Sequence, residues 1–117
     1  MLEEFESYDF EITHYKGTDR VVCVPGVYYL SIGPRAFYKN KTIQEVTVTE
    51  GVREIKKEAF AMCKNLVRIT LPASIVSIEE RAFSGCKNLI EVVLHDKLWN
   101  IHTTAFDDWQ KITITRR

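Results

Sequence analysis

The side chains best suited to chemistry cluster near the end of the chain. His95, Asp96 and His102 are metal-ligand or acid–base types, with the histidines seven residues apart, and His14 lies far from both in the sequence. Zinc sites need a complete set of fixed ligands at short, recurring spacings, which this segment lacks. We therefore interpret these histidines as surface residues and predict no metal site.

The residues of catalytic type also form no recognisable active-site arrangement. Asp107 and Asp108 follow His102 and could act as an acid–base pair, but solvated turn residues explain them more simply. The five glycines are scattered singly and form no phosphate-binding loop. Three serines occupy repeat positions without a matched histidine: Ser74, Ser77 and Ser84. We predict no catalytic residues, no cofactor and no enzymatic activity.

The three cysteines are widely spaced, which argues against a disulfide framework. Cys63 and Cys86 are 23 residues apart, and Cys23 is distant from both. If that spacing corresponds to one structural repeat, stacking could bring Cys63 and Cys86 within disulfide reach. Free buried thiols are the preferred interpretation.

Composition indicates one globular domain. The chain has 117 residues, of which 45% are hydrophobic and 27% charged, and its 16 basic and 16 acidic residues balance. No net positive field therefore attracts nucleic acid. Apolar runs are too short for membrane insertion, and the acidic start lacks the layout of a secretory signal, which favours a cytoplasmic location by default.

A 23-residue repeat organises the sequence. The pattern Ile-x-x-x-Ala-Phe begins at Ile32, Ile55, Ile78 and Ile101, with no slippage. One such unit cannot bury its own apolar side, whereas stacked units bury it against each other. Between these patterns, short strand-like segments align: Val46–Val48, Ile69–Leu71 and Val92–Leu94. The repeat predicts a mainly β solenoid, a right-handed superhelix of short parallel strands joined by short helical or 3-10 turns.

Stacking places equivalent residues over one another, about 4.8 Å apart. The predicted aromatic column consists of Phe37, Phe60, Phe83 and Phe106, with columns of isoleucine and alanine beside it. Charges support this register, because Lys56–Glu58 is matched one repeat later by Glu79–Arg81 with every sign inverted. The predicted pairs are Lys56 with Glu79, Lys57 with Glu80, and Glu58 with Arg35 and Arg81. A second alternating column would hold Glu45, Arg68, Glu91 and Lys111.

The ends depart from the repeat, as the ends of a solenoid should. Within the single domain 1–117, residues 1–25 are predicted to form an N-terminal cap and the first strands, 26–106 the repeats, and 107–117 a shortened coil. In the cap, two strands join at a turn containing Gly17. If Ile112 aligns with Ile69, the last coil is three residues short, and Trp109 replaces the repeated leucine and covers the core.

The segment from Ile55 to Ile78 closely resembles the BspA-like, or Treponema pallidum-type, leucine-rich repeat: I-x-x-x-A-F-x-x-C-x-N-L-x-x-I-x-L-P-x-S-I-x-x-I. The resemblance covers residues 10–115 and implies a leucine-rich-repeat solenoid. Family members are mostly bacterial and protist surface or secreted proteins, several of them implicated in adhesion. The resemblance thus implies a non-catalytic protein-binding or scaffold module, and a surface or secreted location.

Candidate partner-binding residues lie outside the core columns. One predicted strand-face column is small and nearly uncharged: Cys23, Thr47, Thr70, Val93 and Thr113. Four aromatic residues of the type that anchors interfaces also lie outside the core: Tyr28, Tyr29, Tyr38 and Trp99. Alternatively, Tyr28, Tyr29 and Trp99 cover turns and ends. The predicted function is binding of a protein partner, and the alternative is a structural unit that self-associates through its terminal coils.

Overall fold

A computed structural model describes residues 2–117 as a solenoid of stacked coils with two sheets, which are parallel except for the first strand pair. The short-strand sheet has the order β1 (Phe5–Tyr8), β2 (Glu11–Tyr15), β4 (Ser31–Ile32), β6 (Glu54–Ile55) and β8 (Ser77–Ile78). The long-strand sheet has the order β10 (Thr113–Arg116), β9 (Glu91–Leu94), β7 (Arg68–Thr70), β5 (Glu45–Val48) and β3 (Val21–Val24). Two 3-10 helices, Leu2–Glu4 and Trp109–Lys111, complete the fold, and no helix within residues 2–117 could span a membrane.

Neighbouring coils pair in the predicted register. In the long-strand sheet Val46 pairs with Ile69, which in turn pairs with Val92. In the short-strand sheet the repeated isoleucines pair in sequence, and an isolated bridge joins Ile78 to Ile101. The solenoid of stacked parallel coils is therefore confirmed, because a fixed sequence period becomes a fixed translation along the stack.

The aromatic column runs through the middle of the core. The ring centroids of Phe37 and Phe60 are 4.6 Å apart, those of Phe60 and Phe83 5.2 Å, and those of Phe83 and Phe106 5.0 Å. Interplanar angles of 14°, 4° and 7° make these three contacts stacked. Tyr15 extends the column at its first end, 5.0 Å from Phe37. Burial there raises the pKa of Tyr15 to about 12.

The turns that carry the phenylalanines are β-turns with the i→i+3 hydrogen bonds of a 3-10 turn, and they do not extend into helices. Each contains a residue with positive φ before the alanine, at Arg35, Glu58 and Arg81. A second positive-φ position is occupied by Lys39, Met62 and Gly85. These dihedrals turn alternate backbone N–H groups outward, and Phe37, Phe60 and Phe83 donate to the alanine carbonyls of the next coil at 2.7–2.8 Å. In a helix, those donors would be used internally.

The first coil is covered by a hairpin. β1 pairs antiparallel with β2, and the ring of Phe5 packs 5.2 Å from Tyr15 and 5.7 Å from Tyr29. β2 and β3, the two strands expected on either side of Gly17, belong to different sheets. The hairpin closes the aromatic column, so the acidic N-terminal segment from residue 2 onward forms part of the cap.

The last coil pairs differently from the predicted alignment. Ile114 pairs with Val92, so the strand is one residue short of the 23-residue period and not three. Thr113 therefore takes the position assigned to Lys111, and Thr115 the position assigned to Thr113. Trp109 lies 23 residues after Cys86, not at the leucine position, and packs edge-on against Phe106 at 4.8 Å.

The charge columns form in part as predicted. Ion pairs join Arg35 to Glu58 at 3.2 Å and Lys57 to Glu80 at 4.0 Å. Arg68 lies 3.1 Å from Glu91, as expected from their shared column. Lys56 instead pairs with Glu11 at 2.5 Å, and the Glu79 carboxylate accepts a hydrogen bond from the Lys57 backbone N–H. Within residues 2–117, Glu58 forms no ion pair with Arg81 and Glu45 none with Arg68.

Candidate functional site

The candidate histidines and aspartates near the end of the chain bind backbone N–H groups, within their own turns or, for Asp107, on the preceding coil. Nδ1 of His95 accepts from the Lys97 backbone N–H at 3.1 Å, and Nδ1 of His102 accepts from that of Thr104 at 3.1 Å. Two further carboxylates bind backbone N–H groups: Asp107 that of Gly85 and Asp108 that of Gln110. No group of three potential metal ligands converges anywhere in residues 2–117. His95, His102 and Asp108 therefore stabilise their own turns, and Asp107 links the last coil to the one before it.

Two of the cysteines form a ladder of thiols inside the solenoid. The thiol of Cys63 donates to the carbonyl of Phe37 at 3.0 Å, and that of Cys86 to the carbonyl of Phe60 at 3.1 Å. The three cysteines are free, as predicted, but the expected burial holds fully only for Cys63, because Cys86 is half-buried and Cys23 is exposed. The interaction with Cys86, followed by burial, raises the pKa of the Cys63 thiol. Because the thiolate is the reactive form, Cys63 should be unreactive in the folded chain.

Thiol labelling should follow this order of exposure. Cys23 is exposed on β3, Cys86 is half-buried and Cys63 is fully buried. We expect an aromatic disulfide reagent to label Cys23 first in the native protein, and Cys63 only after denaturant unfolds the chain. The measurement is the rate of colour release in the wild type and in Cys23→Ser. Rapid labelling of Cys63 without denaturant would contradict the described burial.

The strand-face column is less accessible than the sequence suggested. Thr47 is exposed and Thr70 is half-buried, but Val93 is only 2% exposed. Val93 therefore does not belong to the candidate surface. Along this column the side chains become less exposed from Thr47 to Val93. There, Thr115 donates to the Glu91 carboxylate at 3.1 Å, so the polar groups of this end are already engaged.

The four aromatic candidates divide into exposed and packed residues. Tyr29 is 7% exposed and belongs to the core, because its ring packs against Phe5 beneath the cap. Tyr28 is 55% exposed. Tyr38 is half-buried, with the cations of Arg35 and Lys39 lying 4.5 and 5.4 Å from its ring centre.

Trp99 is the most exposed of the four candidates, at 73%. The guanidinium of Arg116 lies 3.8 Å from the centre of its ring. Arg116 is itself fixed, because it donates to the carbonyl of Leu98 at 2.7 Å. This cation–π contact orients the indole while leaving most of its surface open to solvent.

A row of large side chains faces solvent beside the short-strand sheet. This outer apolar column consists of Phe10, Leu30, Arg53, Val76 and Trp99. Backbone hydrogen bonds of 2.7–2.8 Å join its first four residues in order, from the N–H of each to the carbonyl of the one before. Trp99 follows Val76 by one period and precedes the bridged Ile101 by two residues.

The exposed fractions of this column set it apart. Phe10, Leu30 and Val76 are 63%, 52% and 48% exposed, although phenylalanine, leucine and valine are among the residues most often buried in proteins. Among its members, only Trp99 was predicted from the sequence to bind a partner. The available signal was the 23-residue spacing from Leu30 to Trp99, always two residues before the repeated isoleucine.

A groove of about 490 Å³ runs beside the outer apolar column, and Leu30, Arg53 and Val76 form part of its wall. Its polar side is fixed, because the Glu11 carboxylate accepts from the Ser31 hydroxyl at 2.9 Å and pairs with Lys56. Burial raises the pKa of Glu11, but the hydrogen bonds from Lys56 and Ser31 outweigh this effect and leave its pKa below the ordinary value. The groove is thus lined both by apolar side chains and by the ion pair between Glu11 and Lys56.

Parallel coils, a buried aromatic column and a sequence period of 23 residues define a leucine-rich-repeat protein. The sequence pattern of the BspA type leucine rich repeat region, in six copies, matches residues 29–116. The chain belongs to the BspA-type leucine-rich-repeat family. No curated protein sequence matches the chain significantly.

Solved structures share the fold. A leucine-rich-repeat protein of T. pallidum is 24% identical with a TM-score of 0.78, covering 97% of this chain and 62% of its own length. A leucine-rich-repeat protein from Bacteroides capillosus is 21% identical with a TM-score of 0.80, at 97% and 92% coverage. A leucine rich cell surface protein from Faecalibacterium prausnitzii is 18% identical with a TM-score of 0.61, at 91% and 34% coverage. The chain thus spans less than two thirds of the T. pallidum protein.

Proposed function

We propose that this chain is a non-catalytic module that binds a protein partner through the outer apolar column. The observation that carries the proposal is the exposure of Phe10, Leu30, Val76 and Trp99 in one column, with Arg53 on the coil between Leu30 and Val76. Exposed apolar side chains are ordinary when scattered, but a contiguous patch of them marks an interaction surface. Adhesion, the role implied by the family, is the finer form of this proposal.

The arrangement suits recognition of a folded or extended partner. Trp99 and Tyr28 supply rigid aromatic area at the column and in the turn preceding it, and such residues dominate the binding energy of protein interfaces. Arg53 at the centre adds a charge that can pair with a carboxylate in a partly desolvated setting. Thr47 and Thr70 on the strand face form a second, more polar contact surface, with Tyr38 on the adjoining turn.

The test compares capture of partner proteins by immobilised wild type and by Val76→Ser. Val76 lies within the column, and its side chain reaches solvent, so the substitution should leave the fold intact. Ile90→Ser is the matched control, because Ile90 is 59% exposed but lies outside the column. We expect proteins captured by the wild type to be lost with Val76→Ser and retained with Ile90→Ser, as measured by quantitative mass spectrometry.

Equal capture by both variants would refute the role of the column. Sedimentation at increasing concentration addresses the alternative of self-association through the terminal coils. A dimer that Val76→Ser leaves unchanged would favour that alternative, whereas a dimer lost only with Val76→Ser would make a second copy of the chain the partner of the column.

A further inference from the structure

One row of surface charges does not alternate in sign. Lys41, Lys64 and Lys87 occupy the same position in three successive coils, and all three are exposed. The side-chain amide of Asn65 donates to the carbonyl of Lys41 at 2.6 Å, and that of Asn88 to the carbonyl of Lys64 at 2.8 Å. These cross-coil bonds hold the lysine-bearing turns in register, so the row is a fixed feature of the fold.

A fourth lysine joins the row. Lys39 is exposed on the turn before Lys41, and these two residues line a shallow groove of about 290 Å³ together with Met62 and Lys64. We refer to Lys39, Lys41, Lys64 and Lys87 as the lysine row. The groove brings positive charges from two coils around one open space, although the chain as a whole has no net charge.

No ion pair neutralises the lysine row within residues 2–117, although Lys87 lines a second groove together with Asp107 and Asp108. Arg35, Lys57 and Arg68 each pair with a carboxylate on the next coil, but across residues 2–117 no member of the lysine row forms an ion pair. These lysines lie in turns of neighbouring coils, and like charges placed directly opposite one another repel. A negatively charged partner would relieve that repulsion, so the row is complementary to an array of anions.

We propose that the lysine row binds an acidic segment of a partner protein. Alternate side chains of an extended segment lie about 6.6–6.8 Å apart on one face. Flexible lysine stems, rooted on coils about 4.8 Å apart, can match that spacing. A single-stranded nucleic acid fits less well, because such sites also use open aromatic platforms, and Tyr38 is half-buried between Arg35 and Lys39.

The proposal rests on the proposed function only in taking the partner to be a protein. The lysine row and the outer apolar column are different surfaces, so their variants separate the two ideas. An acidic peptide that binds the wild type and Val76→Ser equally, but not Lys64→Glu, would support the lysine row independently of the column.

The experiment measures fluorescence anisotropy of a labelled peptide with glutamate at alternate positions, at an ionic strength of about 0.15 M. Lys64→Glu should weaken binding by about tenfold or more, because an attraction is replaced by a repulsion at the centre of the row. Lys97→Glu, an exposed lysine outside the row, makes the same change in net charge and should alter the dissociation constant by less than about twofold.

Thermal unfolding of the same variants tests whether the row is merely structural. Lys64→Glu should leave the melting temperature unchanged or raised, because the new carboxylate would stand between Lys41 and Lys87. A lowered melting temperature would mean that the row stabilises the fold, and would overturn the proposal. Equal loss of peptide binding in Lys64→Glu and Lys97→Glu would also overturn the proposal. So would tighter binding of a sulfated glycan or a single-stranded RNA of equal charge.

Discussion

Phe60→Ala should reduce the free energy of unfolding by about 3–5 kcal/mol. Phe60 is fully buried, and its ring stacks against rings on both sides, at 4.6 and 5.2 Å. Removing it leaves a void in the middle of a column whose backbone is hydrogen-bonded in register to its neighbours and cannot collapse. Since domains of this size are stable by only about 5–15 kcal/mol, the loss should be evident in urea unfolding followed by circular dichroism.

Phe10→Ala provides the matched control. It removes the same ring from a side chain that is 63% exposed, so the expected change is within about 0.5 kcal/mol. Similar losses for Phe60→Ala and Phe10→Ala would show that the aromatic column is not the core of the fold. The stacked-coil architecture would then be wrong, and so would the surfaces assigned to its exterior.

Gly51→Ala should be the most damaging single-methyl substitution, with an expected cost of at least about 2 kcal/mol. Gly51 has a φ of 118°, which residues with a Cβ rarely adopt. A Cβ would also lie 2.1 Å from the carbonyl oxygen of Gly26 on the preceding coil, and that backbone atom cannot rotate away. The added methyl should therefore push two coils apart.

The control for this glycine is Lys97→Ala, two repeats later at the equivalent position. Lys97 is exposed and has no positive φ, so alanine should be tolerated within about 0.5 kcal/mol. Chemical denaturation of both variants measures the difference. A Gly51→Ala protein as stable as the wild type would mean that the coils at Gly26 and Gly51 are not in backbone contact.

The candidate surfaces show why residue identity alone was insufficient. Val93 and Tyr29 were expected to be accessible but are buried, whereas Val76 and Leu30 are exposed. Strand alternation would place Val76 on the same side as Ile78. The strand there spans only two residues, however, and the core residues Ile75 and Ile78 recur at an interval of three, which leaves Val76 outside.

The turn conformations were equally inaccessible to sequence reasoning. Arginine, glutamate and methionine rarely adopt positive φ. Pro34, at the second position of the turn, favours it locally at Arg35, but Glu58 and Met62 have no such neighbour. Hydrogen bonds to the next coil compensate for that conformation, and those bonds exist only once two coils have met. The shortening of the last coil was overestimated for a similar reason, because Ile112 and Ile114 are both apolar and only the pairing with Val92 decides between them.

The sequence by itself determined which residues stack. A period that never slips converts directly into one translation per coil, and this fixed the phenylalanine column and the pairing of Val46, Ile69 and Val92. Only the tertiary structure decided which way the intervening side chains face. Those directions depend on where each coil bends, and the bends are set by hydrogen bonds to neighbouring coils that no single repeat contains.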